Sequence, residues 1–311
     1  MKVVWLDFWY DAAFRAANTR DYEALHRFSH GTSNYWDIAL RAAGHESDTL
    51  IGNAEHDIIG KAVSMQPDVI CSQNVGLYYP ALIRARGFKG KLVAFCSYAA
   101  ERRNLEGWDV VFSSFRWLVD EMNAAGLRAV YLPLAFGRAV LERVEVPPER
   151  DIDVAFFGGL GSKIWSKGTA DIAAVAERVP DFRWWGYRVG ALPESLNRTY
   201  CGEAWGLNYF RLLMRTKIVI NRHGEIAKGF GNNMRQYEAL GAGAILLTDS
   251  MGGIRPLTDA AEYRSVDGCC DTIRAWLHHD YERGNDGQAE VLAKHCYENR
   301  VPAFLEAAEH A

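Results

Sequence analysis

The sequence has no Cys-x-x-Cys pair, and none of its six cysteines (Cys71, Cys96, Cys201, Cys269, Cys270, Cys296) stands at a zinc-like spacing from a histidine. That argues against a zinc ribbon and a disulfide-stapled scaffold; the thiols read as the reduced ones of a cytoplasmic protein. No window approaches the ~18 apolar residues that span a bilayer, so no transmembrane segment is expected. The apolar run behind Met1 is only Val3-Val4-Trp5-Leu6, too short for the hydrophobic region of a signal peptide. Positive charge is not in excess either. Thirty-five Lys and Arg face 39 Asp and Glu, a formal net charge of −4, which gives no global pull toward nucleic acid or anionic lipid. Internal repeats and low-complexity tracts are missing as well.

What is present is a chain of 311 residues, 49% apolar, enough for two cores at ~150 residues per domain. Short β-branched or aromatic runs alternate with helical patterns, the signature of β-α units and parallel sheets. Strands are expected at Lys2–Leu6, Asp68–Ser72, Lys91–Cys96, Asp109–Ser113, Ala129–Leu132, Ile152–Phe157, Lys217–Asn221 and Ala244–Thr248. Helices are expected at Ser33–Ala43, Arg116–Ala125, Thr169–Arg178 and Asn233–Leu240, and a last helical stretch from Gln288 to His310 is interrupted near Pro302. Val144-Glu-Val-Pro-Pro-Glu-Arg-Asp151, with two adjacent prolines, reads as an exposed linker. Two domains follow, 1–145 and 146–311, with the last helix free to pack back on the first. Ten tryptophans either line a cleft for flat ligands or fill the cores.

Two constellations carry chemistry. Phe156-Phe157-Gly158-Gly159-Leu160-Gly161-Ser162-Lys163 follows a strand and precedes a helix. Its glycines let backbone N–H groups approach an anion, the helix N-terminus adds partial positive charge, and Lys163 and Lys167 add cations. It completes neither the dinucleotide fingerprint nor a P-loop, and a glycine turn of this kind also occurs where nothing binds. The second runs from Asn221-Arg222-His223 through Gly229-Phe-Gly-Asn-Asn233-Met-Arg235-Gln-Tyr-Glu238-Ala-Leu to Thr248-Asp249. Asn232 or Asn233 caps a helix whose first turn presents Arg235 and Glu238 on one face. An arginine there opposes the helix dipole unless an anion compensates it, and Glu238 can accept two hydrogen bonds from a ribose diol. The alternative is a plain Arg235–Glu238 ion pair.

Asn233-Met-Arg-x-x-Glu-Ala-Leu-x-x-Gly-Ala-x-Leu-Leu-Thr-Asp249, preceded by Asn221-Arg-His, resembles the C-terminal signature of the CgeB-like, spore-maturation-type glycosyltransferases. These belong to the GT-B group, with a group 1 transferase-like C-terminal domain. His30-Gly-Thr-Ser33-Asn-Tyr-Trp, Pro67-Asp-Val-Ile, Trp108-Asp-Val-Val-Phe, Tyr131-Leu-Pro-Leu-Ala and Asp153-Val-Ala-Phe-Phe-Gly-Gly extend the likeness over most of the chain. The resemblance implies an α/β fold of two Rossmann-like domains whose parallel sheets face a central cleft. It implies a glycosyltransferase that takes a UDP-, GDP- or dTDP-linked sugar as co-substrate, with no cofactor and no metal. The acceptor is a glycan, a lipid-linked molecule or another hydroxyl compound. By the same resemblance Glu238 binds the donor ribose, while Arg235, Gly158, Gly159 and Lys167 lie near the diphosphate. Phe230 stands where the family often has an acid.

An acceptor base would come from the N-terminal domain, with Asp7 and His30 as candidates and Glu101 a third. His223, behind a strand, can donate to the donor's phosphate or sugar, or be a satisfied loop residue. The basic run Arg84-Ala-Arg-Gly-Phe-Lys-Gly-Lys91 suits an acidic acceptor, even a nucleic acid, or is a solvated loop. Other readings of the same two-domain pattern are a sugar-nucleotide epimerase, a phosphorylase, or a ligand-binding protein without catalysis.

Overall fold

The computed structural model describes residues 1–8, 33–52, 57–98, 100–147, 149–161, 166–231, 233–250, 252, 257–278 and 284–310. The chain divides into two units, Met1–Ala139 together with Tyr297–Ala311, and Val140–Cys296.

Unit one alternates β1 (Lys2–Phe8), α1 (Ser33–Ala42), β2 (Glu46–Gly52), α2 (Ile58–Ser64), β3 (Val69–Ser72), α3 (Pro80–Ala85), β4 (Lys91–Phe95), α4 (Arg102–Leu105), β5 (Val110–Ser113), α5 (Arg116–Ala124) and β6 (Ala129–Tyr131). All six strands pair in parallel, in the order β2-β1-β3-β4-β5-β6. Val3, Val4, Trp5 and Leu6 are buried without alternation, as a sheet covered on both faces requires.

Unit two continues with β7 (Ile152–Phe157), α6 (Ser166–Arg178), β8 (Arg183–Trp185), α7 (Glu194–Thr199), α8 (Gly206–Arg215), β9 (Thr216–Asn221), α9 (Met234–Gly241), β10 (Ile245–Thr248), β11 (Ala260–Glu262), α10 (Val266–His278) and α11 (Asn285–Lys294). Its five strands are parallel too, ordered β11-β10-β9-β7-β8. Ile172, Ala173, Val175 and Ala176 form the buried face of α6 and share a core with Val154, Phe156, Trp184, Ile218 and Ile220. Each large apolar side chain buried there contributes roughly 1.5–3 kcal/mol. Trp184 is fully buried because its indole N–H finds the Leu196 carbonyl at 2.8 Å. Arg150, at the end of the expected linker, donates to the carbonyls of Leu213 (3.2 Å), Thr216 (2.6 Å) and Ala242 (2.9 Å), tying β9 to the end of α9.

The chain then returns to unit one as α12 (Val301–Glu309). Phe304 packs 5.6 Å from both Trp5 and Phe112, and Trp5 stacks on Trp36 at 5.8 Å, so in this unit the rings fill the core. The helical break falls at residues 295–300, and Pro302 sits in the first turn of α12, where its missing N–H costs nothing. No helix of the described residues is long and apolar enough to cross a membrane.

Strand order reverses once in each sheet, between β1 and β3 in unit one and between β7 and β9 in unit two. Loops leave such a point in opposite directions and open a crevice beyond the carboxyl ends of the strands. Asp7 lies near the end of β1 at the first reversal; Gly158 and Arg222 follow the two strands of the second.

Candidate active site

Beyond β7 and β9 lies a cavity of about 190 Å³. Its walls are Phe156, Gly158 and Gly159 from β7 and its turn, Gly168 from the first turn of α6, and Arg222 and His223 behind β9. Asn233 and Arg235 from the start of α9, with Leu160, Gly224 and, behind β8, Tyr187, complete them. The glycine turn is shaped by close backbone approach. A β-carbon on Gly186, where φ is +157°, would stand 1.9 Å from the Gly158 carbonyl oxygen, and one on Gly158 would stand 2.7 Å from Arg235 Nη2. The first contact admits only glycine at 186, and the second lets the Arg235 guanidinium lie over the turn.

Asn233 caps α9, and its backbone N–H is accepted by Gln236 Oε1 at 3.3 Å. Arg235 donates through Nη1 to Asn221 Oδ1 at 2.9 Å and lies 5.3 Å from the centre of the Phe156 ring. It has no acid within ion-pair distance among the described residues, so its charge is available to the cavity. Arg222 is different: Nε pairs with Asp171 at 3.0 Å and Nη1 with Asp249, which neutralise it.

Asp249 also accepts from His223, at 3.0 Å from the backbone N–H and 2.6 Å from Nδ1. Burial alone would raise the Asp249 carboxyl, but the hydrogen bonds from His223 and the charge of Arg222 outweigh it and hold the group below its usual range. The other ring nitrogen of His223 lies 3.5 Å from Asn221 Nδ2. His223 therefore lines the cavity while both its nitrogens face protein groups.

Glu238 does not line the cavity. It is 8% exposed, and its Oε2 accepts the Tyr209 hydroxyl at 2.8 Å. Arg235 and Glu238 form no ion pair; each has its own partner. Burial pushes the Glu238 carboxyl above the usual glutamate value, more than the Tyr209 hydrogen bond and the Arg235 charge pull it down. A raised folded-state value means stability that is complete below the unfolded value and lost as pH rises through the folded one. Glu238→Gln, which cannot ionise, is expected to gain on the wild type in thermal melts as pH rises from 4 to 7. A melting difference independent of pH would contradict this.

Lys167 is exposed, pairs at 3.2 Å with the Asp171 carboxylate that also holds Arg222, and is not part of the cavity wall. Lys163, His30 and Asn232 lie outside the described residues. Asp7 is buried at 6% exposure in unit one, where the Tyr78 hydroxyl reaches its backbone carbonyl at 3.5 Å. Glu101 pairs with Arg103 at 2.6 Å. In the basic run Arg84 is paired with Asp109 and Arg86 with Asp57. The chain contains one Asp-x-Asp, Asp151-Ile152-Asp153, and its carboxylates pair with Arg215 and Lys217 at the start of β7, away from the cavity. Among the described residues no group of three His, Cys, Asp or Glu is placed to hold a metal ion. Asn221 and Asp249, inside the second motif, and Tyr209, outside both, are partners whose roles the sequence does not reveal.

The family model described as Glycosyl transferase-like matches residues 169–306. Among solved structures, sucrose-phosphate synthase from Thermosynechococcus elongatus is similar at 11% identity and a TM-score of 0.62, over 100% of this chain and 99% of that one. HepE from Anabaena in complex with UDP-glucose is similar at 13% identity and a TM-score of 0.58, over 99% and 100%. A proposed UDP-N-acetylglucosamine 2-epimerase from Listeria monocytogenes reaches 0.51 at 10% identity, over 99% and 94%. At these identities the likeness is one of fold: two parallel-sheet α/β units, the GT-B architecture. No curated protein matches the sequence.

Proposed function

We propose that this chain is a glycosyltransferase, within the CgeB-like branch of the GT-B enzymes, that moves a sugar from a nucleotide-diphosphate sugar to a hydroxyl acceptor. The observation that carries the reading is Arg235. It is a guanidinium without an acid partner among the described residues, lying in the first turn of a helix whose dipole opposes it and over a glycine turn on a cavity wall. The α6 N-terminus, represented on that wall by Gly168, adds partial positive charge, and the glycine turn contributes the Gly159 N–H, since the Gly158 N–H donates to the Trp185 carbonyl at 2.9 Å. At about 190 Å³ the cavity is smaller than the ~300–1,000 Å³ of typical ligand sites, so it suits the diphosphate and not the whole donor. Tyr187, stacked on Trp205 at 6.1 Å, offers the nucleotide base a flat surface.

Glycosyl transfer passes through an oxocarbenium-like state while negative charge grows on the leaving diphosphate. Arg235, the α6 N-terminus and the Gly159 amide stabilise that charge where it develops, without a metal. With Oε2 of Glu238 taken by Tyr209, Oε1 is the oxygen left for the ribose diol. Asp7 of unit one is the proposed base for the acceptor hydroxyl.

Titration of UDP, GDP and dTDP, read by thermal shift, tests the donor site. A nucleotide at a hundred times its Kd adds ~2.7 kcal/mol to stability. We expect one of the three to stabilise the wild type and to do so less with Glu238→Ala. No shift with any of them would sink the donor site. Transfer that persists in a chelator is expected. A donor returned as its epimer would favour the epimerase reading.

A further inference from the structure

We propose that Asn221 is a positioning residue: one fully buried side-chain amide fixes how three cavity-lining residues, Asn233, Arg235 and His223, present their polar atoms. The inference rests on the donor-site reading above and adds to it the residue that orients the anion-binding arginine.

Asn221 ends β9 with no exposed surface. Its Oδ1 lies 2.8 Å from Asn233 Nδ2 and 2.9 Å from Arg235 Nη1. Its Nδ2 lies 3.0 Å from Thr248 Oγ1 and 3.5 Å from His223 Nε2. The backbone around it is pinned as well, since its carbonyl accepts the Asp249 N–H and the Tyr263 hydroxyl, both at 3.3 Å.

The direction of every bond follows from one donor. A guanidinium has N–H groups and no acceptor, so the atom of Asn221 facing Arg235 has to be the oxygen. The amide nitrogen then faces Thr248 and His223. Thr248 Oγ1 accepts from it and donates its own O–H to the Ser250 carbonyl at 3.2 Å. His223 Nε2 is left as the acceptor, so its ring proton sits on Nδ1, where Asp249 Oδ1 receives it at 2.6 Å. Arginine, amide, imidazole and carboxylate thus form one polarity chain, and asparagine has both the acceptor and the donor that position 221 needs. Aspartate, of nearly the same shape, keeps the acceptor for Arg235 but has no donor for Thr248 or His223. It also places a negative charge against the arginine that the donor diphosphate needs.

The test uses the full chain labelled with 15N-histidine, with the His223 signal assigned by its loss in His223→Gln. Without ligand the wild type is expected to show the Nδ1–H form of His223; an Nε2–H form overturns the inference with no variant involved. Asn221→Asp is expected to lose that form and to weaken binding of the responding nucleoside diphosphate at least about tenfold. A purely structural role would lower the melting temperature and leave the His223 form as it was, and that outcome also overturns the inference. A wild type that binds no nucleotide while His223 shows the Nδ1–H form sinks the donor-site reading and leaves the hydrogen-bond chain standing. Nucleotide binding by Asn221→Asp equal to the wild type, with the His223 form unchanged, sinks the inference and leaves the donor site.

Discussion

Arg235→Ala is expected to lower the rate of sugar transfer by about 10²–10³-fold, the loss that follows removal of one preorganised donor from a developing anion. Stability should change little. The arginine opposes the dipole of α9, its guanidinium rests on the Phe156 ring, and it donates to Asn221. These are modest gains set against the cost of holding a half-buried cation without an acid. Function and stability therefore separate at this position, as they do where a site keeps a group the fold does not need. Arg235→Lys should recover only part of the rate, because an ammonium cannot bond Asn221 and a phosphate oxygen with the fixed fork of a guanidinium. Steady-state transfer assays beside thermal melts decide it. An alanine variant within threefold of the wild-type rate would remove Arg235 from the site.

The largest effect on stability is expected from Asp249→Ala. One carboxylate serves Arg222 and both the backbone N–H and Nδ1 of His223, whose side chains are only 15% and 5% exposed. Removing it leaves a cation and an imidazole N–H in low dielectric without that acceptor, a loss of about 3–5 kcal/mol for a broken buried pair. Asp171 still holds Arg222 through Nε, which places the expectation at about 3 kcal/mol. The effect carries a pH signature. Asp249 titrates below its usual value of 3.8 in the folded chain, so its contribution is present above that value and is lost as pH falls through the lower one. Urea unfolding of wild type and variant should differ most near pH 7 and converge toward pH 3. A gap of equal size at both ends would mean that the carboxylate's charge contributes nothing.

Legibility in the sequence follows burial. The runs Val3–Leu6, Val110–Ser113, Ile152–Phe157 and Lys217–Asn221 become interior strands, because a strand covered on both faces must be apolar at nearly every position. The strands that the pattern does not reveal are β2, β8 and β11, and all three are sheet edges. β2 carries Glu46, Asp48 and Thr49, while β8 and β11 have three residues each. Edges take charge and stay short, which erases the period that reveals a strand. The helix bearing Arg235 was legible for the opposite reason, since Asn233 announces its cap locally.

The order of apolar runs and caps by itself determined two parallel α/β units and the helix that carries Arg235 and Glu238, because hydrophobic period and capping act over a few neighbours. Only the tertiary structure decided which polar atoms meet. Arg235 and Glu238, three residues apart, part company: one lines the cavity, and the other is buried under Tyr209, 29 residues back in the chain. Asn221, Thr248 and Arg235 come together through strand pairing and helix docking, and such contacts depend on the packed position of whole elements, which no local run of side chains encodes.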